Sequence, residues 1–409
     1  MYPQRILLLH NLYRHAGGED RVFADEGKLL SEFGHDVIRF TADNRGIGSS
    51  SLSVAISAAW NQGVYRSVRS LLAEKRPDLV HVHNAFPLLS PAVYYAGRKA
   101  GIPVVQTLHN YRLLCPGAFL SRAGSPCEAC IGKSFPWPGI AHKCYRGSHA
   151  ATAAVAVTNG LHRLAGTWAH AVDAYIALSE FARRKFISGG IPAGKIFVKP
   201  NSPYPDPVPS PRTGDYVLYA GRLSDEKGIL TLLSAYASHP PAPKLKIAGS
   251  GQREPEVRTL TSNCPAVEYL GWQSRERVYE LTQKAAVVVL PSLWYEGFPM
   301  TAVEALGAGV PLIASRIGSL AEIVDHGRTG LLVAPGDVQA LRSALEWVAS
   351  HPAELARMRR EARAEFLAKY TAGQNYRSLM QIYQSVLVGK QSLSRTRAAS
   401  AARAAGRAD

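Results

Sequence analysis

The chain has 409 residues, 46% hydrophobic and 19% charged, with a formal net charge of +16. That length exceeds one ordinary core, so two domains are expected, and no apolar run approaches the roughly 20 residues that span a bilayer, which excludes a helical membrane span. The positive balance suits acidic partners such as nucleotide diphosphates or an anionic lipid surface. Nucleic acid is excluded as a partner, because the charge is spread along the chain and no DNA- or RNA-binding motif occurs.

The chain leads straight into an apolar strand at residues 5–10 with no signal peptide ahead of it, so a cytoplasmic protein is expected. Gly17-Gly18 allows a tight turn and a close approach of backbone to ligand. The following helix turns Val22, Phe23, Leu29 and Leu30 inward, and residues 35–40 form the next strand. Strand, glycine turn and helix make a Rossmann-like order, without the G-x-G-x-x-G of a dinucleotide site. Residues 66–75 read as a basic amphipathic helix. Residues 78–83 (DLVHVH) and 103–108 (PVVQTL) are strands ending in polar residues, as ligand-facing strand ends do in open α/β sheets. The second runs into His109, which titrates near neutrality and can donate to a hydroxyl.

Residues 113–147 interrupt this pattern and hold Cys115, Cys127, Cys130 and Cys144, spaced C-x11-C-x2-C-x13-C. The C-x2-C pair with two outer thiols suits a tetrahedral structural zinc, with His142 as a substitute ligand; free thiols that merely pack are the alternative. Residues 149–171 are Ala-rich and helix-prone, with a core position favoured over a membrane face. A strand at 174–178 and a helix capped by Ser179 follow, and the helix carries Arg183-Arg184-Lys185.

Residues 203–214 are proline-dense and read as a linker. After a strand at 216–220 comes GRLSDEKGI, with Gly221, Arg222, Lys227 and Gly228. The arginine fork and the lysine point charge, five residues apart across a turn, can reach one diphosphate. A strand at 245–248 closes on the glycine turn Gly249-Ser250-Gly251, and 267–271 is a further strand. The β-branched run Val287–Leu290 suits a buried parallel strand. A loop leads to Pro299, placed as a first helical residue, and to a helix with Met300, Val303 and Leu306 at helical spacing, ended by Gly307 and Gly309. Glu296 and Glu304 lie eight residues apart around this helix start. Between them the N–H groups of Gly297, Phe298, Met300 and Thr301 collect where anions bind. Carboxylates that accept from hydroxyls, beside donors for an anion, are what a sugar joined to a diphosphate requires. Residues 337–369 and 376–388 read as helices, and from 390 a Ser/Arg/Ala-rich basic tail is expected to be disordered, passive or in contact with anionic lipid.

EGFPMTAVEALGAGVP resembles the E-x7-E signature of retaining glycosyltransferases of family 4. TLHNYR, GRLSDEKG, residues 318–322 and TGLLVAPGD are similar to further segments of that family, as is KIFVKPNS, in which Ser202 replaces the usual glycine. The matches extend over most of residues 5–345. The resemblance implies an α/β chain of the GT-B fold, with two Rossmann-like domains facing a central cleft. Residues 1–205 would form the acceptor domain, with a Cys-rich insertion at about 113–147 and a completing helix at about 374–389; from their own aromatic and proline-rich character, 135–138 are expected to shape an acceptor groove. Residues 215–370 would bind the nucleotide sugar, and 390–409 would be the tail.

By the same resemblance, Glu296 holds a sugar hydroxyl, Glu304 the ribose hydroxyls, and His109 the sugar from across the cleft. Gly17 and Gly18 lie beside the diphosphate, Gly249 and Gly251 near the nucleoside, and Arg222 and Lys227 stabilise the leaving diphosphate. The implied enzyme is a retaining, hexosyltransferase-type glycosyltransferase. It works without a metal or other catalytic cofactor, since no Asp-x-Asp pair occurs. Its donor would be a UDP or GDP sugar and its acceptor a glycan or polyprenyl-linked glycan in cell-surface polysaccharide assembly, at the inner face of the membrane. The competing readings are a GT-B sugar-nucleotide epimerase and a noncatalytic nucleotide-sugar-binding subunit associated with the membrane.

Overall fold

A computed structural model of the chain describes residues 2–13, 17–44, 51–210, 214–237, 243–262 and 264–405, without the side chains of 51–52 and 391–405. The described strands of the first half are β1 (Arg5–Leu12), β2 (Asp36–Asp43), β3 (Leu79–Asn84), β4 (Val104–Leu108), β5 (Ser121–Arg122), β6 (Ser125–Pro126), β7 (Ala174–Ala177) and β8 (Ile196–Val198). All but the short β5–β6 hairpin join one parallel sheet in the order β2-β1-β3-β4-β7-β8. The second half contributes β9 (Tyr216–Ala220), β10 (Lys244–Ala248), β11 (Val267–Gly271), β12 (Val287–Leu290), β13 (Leu312–Ser315) and β14 (Gly330–Val333). These form a second parallel sheet in the order β11-β10-β9-β12-β13-β14.

Alternation along each strand explains why the strands read as continuous apolar runs. Leu7 and Leu9 face one core with Val80 and Val82, whereas Ile6 and Leu8 face another with Leu79, Val105 and Ile176. In the second sheet Leu218, Val288 and Leu312 line one side, and Val217, Val287 and Ile313 the other. Side chains of period two with helices on both faces leave no polar side to the strand.

Several boundaries differ from expectation. The stretch 149–171 is two helices, His149–Leu164 and Thr167–His170, parted by Gly166 at φ +66°. The stretch 337–369 is also two, Val338–Ser350 and Pro352–Lys369, because Pro352 cannot continue a helix and restricts His351 before it. The last helix runs Ala372–Ala405, so the backbone expected to be disordered from 390 is helical as far as Ala405, in keeping with its Ala and Arg content. Whether the basic tail faces lipid falls on side chains outside the described residues.

This last helix packs on the first sheet. Leu379, Met380, Ile382, Tyr383 and Val386 share a core with Ile6, Leu8 and Val105. The Ala372 N–H donates to Asp206 Oδ1 at 2.7 Å just ahead of the crossing. Among the described residues no helix is long and apolar enough to cross a membrane.

Candidate functional site

Strand ends from both sheets converge on one cavity of about 480 Å³. The first sheet contributes Gly17 and Gly18 beyond β1, His109 beyond β4 and Asn201 beyond β8. The second contributes Gly221, Arg222 and Lys227 beyond β9, and Glu296, Gly297 and Phe298 beyond β12. Met300, Thr301 and Glu304, from the helix Met300–Gly307, complete it. Pro299 is the residue just ahead of this helix rather than its first. Ligand binding beyond the carboxyl ends of parallel strands is the rule for open α/β sheets.

Two of the expected glycines stay out of the cavity. Gly249 packs against the backbone of Gly221 and Gly251 against that of Leu223, behind the wall. They bring two loops together.

Glu296 is 6% exposed and is the most enclosed acid of the site. Lys227 Nζ donates to both of its oxygens, at 2.7 and 2.8 Å, and Ser292 Oγ donates at 2.6 Å. Burial alone would push the carboxyl up, but the Lys227 charge and these hydrogen bonds outweigh it and hold Glu296 below the ordinary carboxylate value. The turn at Gly228 makes this pairing. At φ +69°, a Cβ there would stand 1.9 Å from the Pro291 carbonyl oxygen, so only glycine lets the β9 loop press onto the β12 loop.

The other charges are paired at the rim. Glu304 meets the Arg21 guanidinium of the first domain. Arg222 binds Glu226 at 2.7 Å with its side chain 52% exposed, at the cavity edge. Arg21 was not singled out from the sequence. The signal was a cation one turn past Gly17-Gly18, on the helix Gly18–Glu32, and only its partner across the cleft gives it meaning.

His109 is 8% exposed, and its Nε2 lies 3.0 Å from His83 Nδ1. Burial, with His83 and His10 beside it, drives its pKa well below the usual histidine value, so it is neutral.

The insertion braces the Glu296 loop. Phe119 packs edge-on against Trp294, with ring centroids 4.8 Å apart, and Glu128 accepts from Tyr295 OH at 2.9 Å. Glu128 sits inside the C-x2-C pair. Cys115 and Cys130 are buried, Cys127 and Cys144 half-buried, and all four are free thiols. Burial and the other three thiols push Cys130 up to about 11. Among the described residues the only group of three or more His, Cys, Asp or Glu with ligand atoms within 4.8 Å of one another is Glu26, His81 and His83; no three of the sulphurs come that close.

The sequence matches two family models, "Glycosyl transferase 4-like domain" over residues 17–202 and "Glycosyl transferases group 1" over residues 203–365. Glycogen synthase of Mycobacterium tuberculosis is 28% identical over 319 residues, 72% of this chain and 66% of that protein. The amylovoran biosynthesis glycosyltransferase AmsK of Erwinia amylovora is 25% identical over 228 residues, 51% of this chain and 55% of that protein. The chain thus spans somewhat less than two thirds of either relative. Among solved structures, Anabaena Alr3699/HepE in complex with UDP superposes with a TM-score of 0.66 at 20% identity, covering 93% of this chain and 99% of that one; the same protein has also been solved with UDP-glucose. With both halves of its cleft matched by the family's two models, the chain belongs to the GT4-type glycosyltransferases of the GT-B fold.

Proposed function

We propose that the chain transfers a sugar from a nucleotide-diphosphate sugar, a UDP sugar in the first instance, to a glycan or lipid-linked acceptor, with retention and without a metal. The observation that carries this is the meeting of Glu296, Lys227, Arg222, Glu304 and His109 in one cavity at the start of the helix Met300–Gly307. HepE, with its UDP and UDP-glucose complexes, supports the donor class, and AmsK supports polysaccharide synthesis.

In this reading the helix N–H groups, Lys227 and Arg222 stabilise the charge that builds on the diphosphate as the sugar C1–O bond breaks. The exposed Arg222 leaves Glu226 and closes on phosphate. Glu296, ionised, accepts from a sugar hydroxyl, and Glu304 exchanges Arg21 for the ribose hydroxyls. The acceptor oxygen bonds to C1 on the face the diphosphate leaves, and its proton passes to a phosphate oxygen.

A thermal-shift screen over UDP, GDP and their sugars tests the donor, since a ligand that binds only the folded state raises its stability. Released nucleotide in the presence of an acceptor then separates transfer from a noncatalytic binding subunit, and a new nucleotide sugar without acceptor marks an epimerase. The four-thiol lobe is proposed to hold a structural zinc on the strength of the C-x2-C spacing with two outer thiols in one insertion; binding would draw the sulphurs closer together than they lie here.

A further inference from the structure

Behind the cavity wall the first domain buries a polar string that ends at His109. Lys199, 1% exposed, donates to Glu26 Oε2 at 3.2 Å. Glu26 Oε1 lies 3.1 Å from His83 Nε2, and His83 Nδ1 lies 3.0 Å from His109 Nε2. The last helix closes the string from below: Asn375 Oδ1 accepts from Lys199 at 3.1 Å, and Tyr383 OH lies 2.7 Å from His81 Nδ1. Glu26, His81 and His83 could be taken for a cation site by spacing. However, the Lys199 ammonium already sits on the carboxylate and Thr107 engages His81 Nε2 at 2.8 Å, so these groups serve one another.

The string settles where each proton lies. Burial would raise the Glu26 carboxyl, but Lys199, His81 and His83 hold it well below the ordinary value, so it is ionised and can only accept. His83 therefore presents Nε2–H to it. Burial and His81 push His83 down to about 4, so the ring is neutral and its Nδ1 is bare. Only a donor can sit opposite a bare nitrogen, so His109 points Nε2–H at it. A neutral imidazole has one N–H, which leaves His109 Nδ1 unprotonated on a ring that lines the cleft.

We propose that Glu26 and His83 are positioning residues that lock His109 in the tautomer with a bare Nδ1, so that it accepts a hydrogen bond from a hydroxyl of the donor sugar. This reverses the role expected from the sequence, in which His109 donates. For the identity of the ligand, though not for the tautomer, the inference rests on the sugar-transfer reading. It also sets a specificity: the sugar carries an O–H at this point. A deoxy sugar leaves Nδ1 unpaired, and a uronic carboxylate there opposes acceptor to acceptor; either should lower kcat/KM on the order of tenfold to a hundredfold.

The test is the two-bond 15N–1H correlation spectrum of the histidine-labelled full chain, first without ligand. His109 should show a protonated Nε2 and a bare Nδ1. Glu26→Gln should invert this: the amide oxygen turns to Lys199, the amide N–H donates to His83 Nε2, and each proton along the string moves to the other ring nitrogen. His83→Phe, which removes the partner of His109, should leave a mixture of tautomers. A merely structural role would lower stability in both variants and leave the tautomer alone. An Nδ1–H on His109 in the unaltered chain overturns the proposal, as does an unchanged tautomer in either variant that folds. A bare Nδ1 whose signal no UDP or GDP sugar shifts would overturn the sugar as its partner while the tautomer stands.

Discussion

Acidification reaches the first domain through His83. The ring is 2% exposed and faces His81, Glu26, His10 and His109, and its pKa falls from 6.5 to about 4. Between those values the unfolded chain binds a proton that the native chain refuses. Stability therefore rises with pH across this window; it is complete above about 6.5 and is lost as pH falls toward 4. At ~1.4 kcal/mol per pH unit the loss is about 3 kcal/mol, a large share of a domain's total. Glu26 continues the trend below that window, because its depressed carboxyl contributes stability that disappears as it protonates. Urea unfolding followed on first-domain amide signals in steps from about pH 7 to about pH 4 should show this slope, and His83→Phe should flatten it by about one proton. A His83 ring that titrates near 6.5 in the folded protein, or identical slopes in the two proteins, would refute the reasoning.

Glu296→Gln keeps the shape and removes the charge that Lys227 and Ser292 surround; kcat should drop on the order of a hundredfold or more with the fold intact, and unchanged turnover removes Glu296 from the mechanism. Lys199→Met strands Glu26 as a buried charge and should cost about 3–5 kcal/mol in urea unfolding; a loss well under 1 kcal/mol would show that Glu26 does not depend on it. Gly228→Ala forces a Cβ onto the Pro291 carbonyl and should both destabilise the second domain and weaken nucleotide-sugar binding, read by thermal melts with and without donor; undiminished donor affinity would separate the turn from the site. Elemental analysis of the purified chain should find about one zinc, reduced in Cys127→Ser and Cys130→Ser; metal-free protein of full stability would leave four packed thiols.

The strands were legible because a parallel sheet covered on both faces writes itself as β-branched runs, as at Val287–Leu290 and Tyr216–Ala220. His109, Arg222, Lys227 and Glu296 were legible for a related reason: each stands just past such a run, where the strand ends at the cleft. Arg21 was not legible, since its partner Glu304 lies 283 residues away and nothing local marks the pairing. Nor was the string from Lys199 to His109. Glu26 reads as an ordinary helix acid and Lys199 as a surface lysine, until five separate elements bury them together. Nor does the sequence tell that Gly249 and Gly251 each let a neighbouring loop press close, where a Cβ would meet the backbone of Gly221 or Leu223.

The last helix has a bearing on how this chain divides. It leaves the second half at Ala372, yet supplies Tyr383 and the Leu379–Met380 face that cover Ile6, Leu8 and Val105. The self-sufficient first body is therefore discontinuous, made of residues up to about 202 and a piece from near the other terminus. A fragment cut at the linker would present a bare apolar sheet face and clump. A circular permutant that fuses the helix ahead of β1 would carry every contact that half needs, and should be the smallest portion able to stand alone.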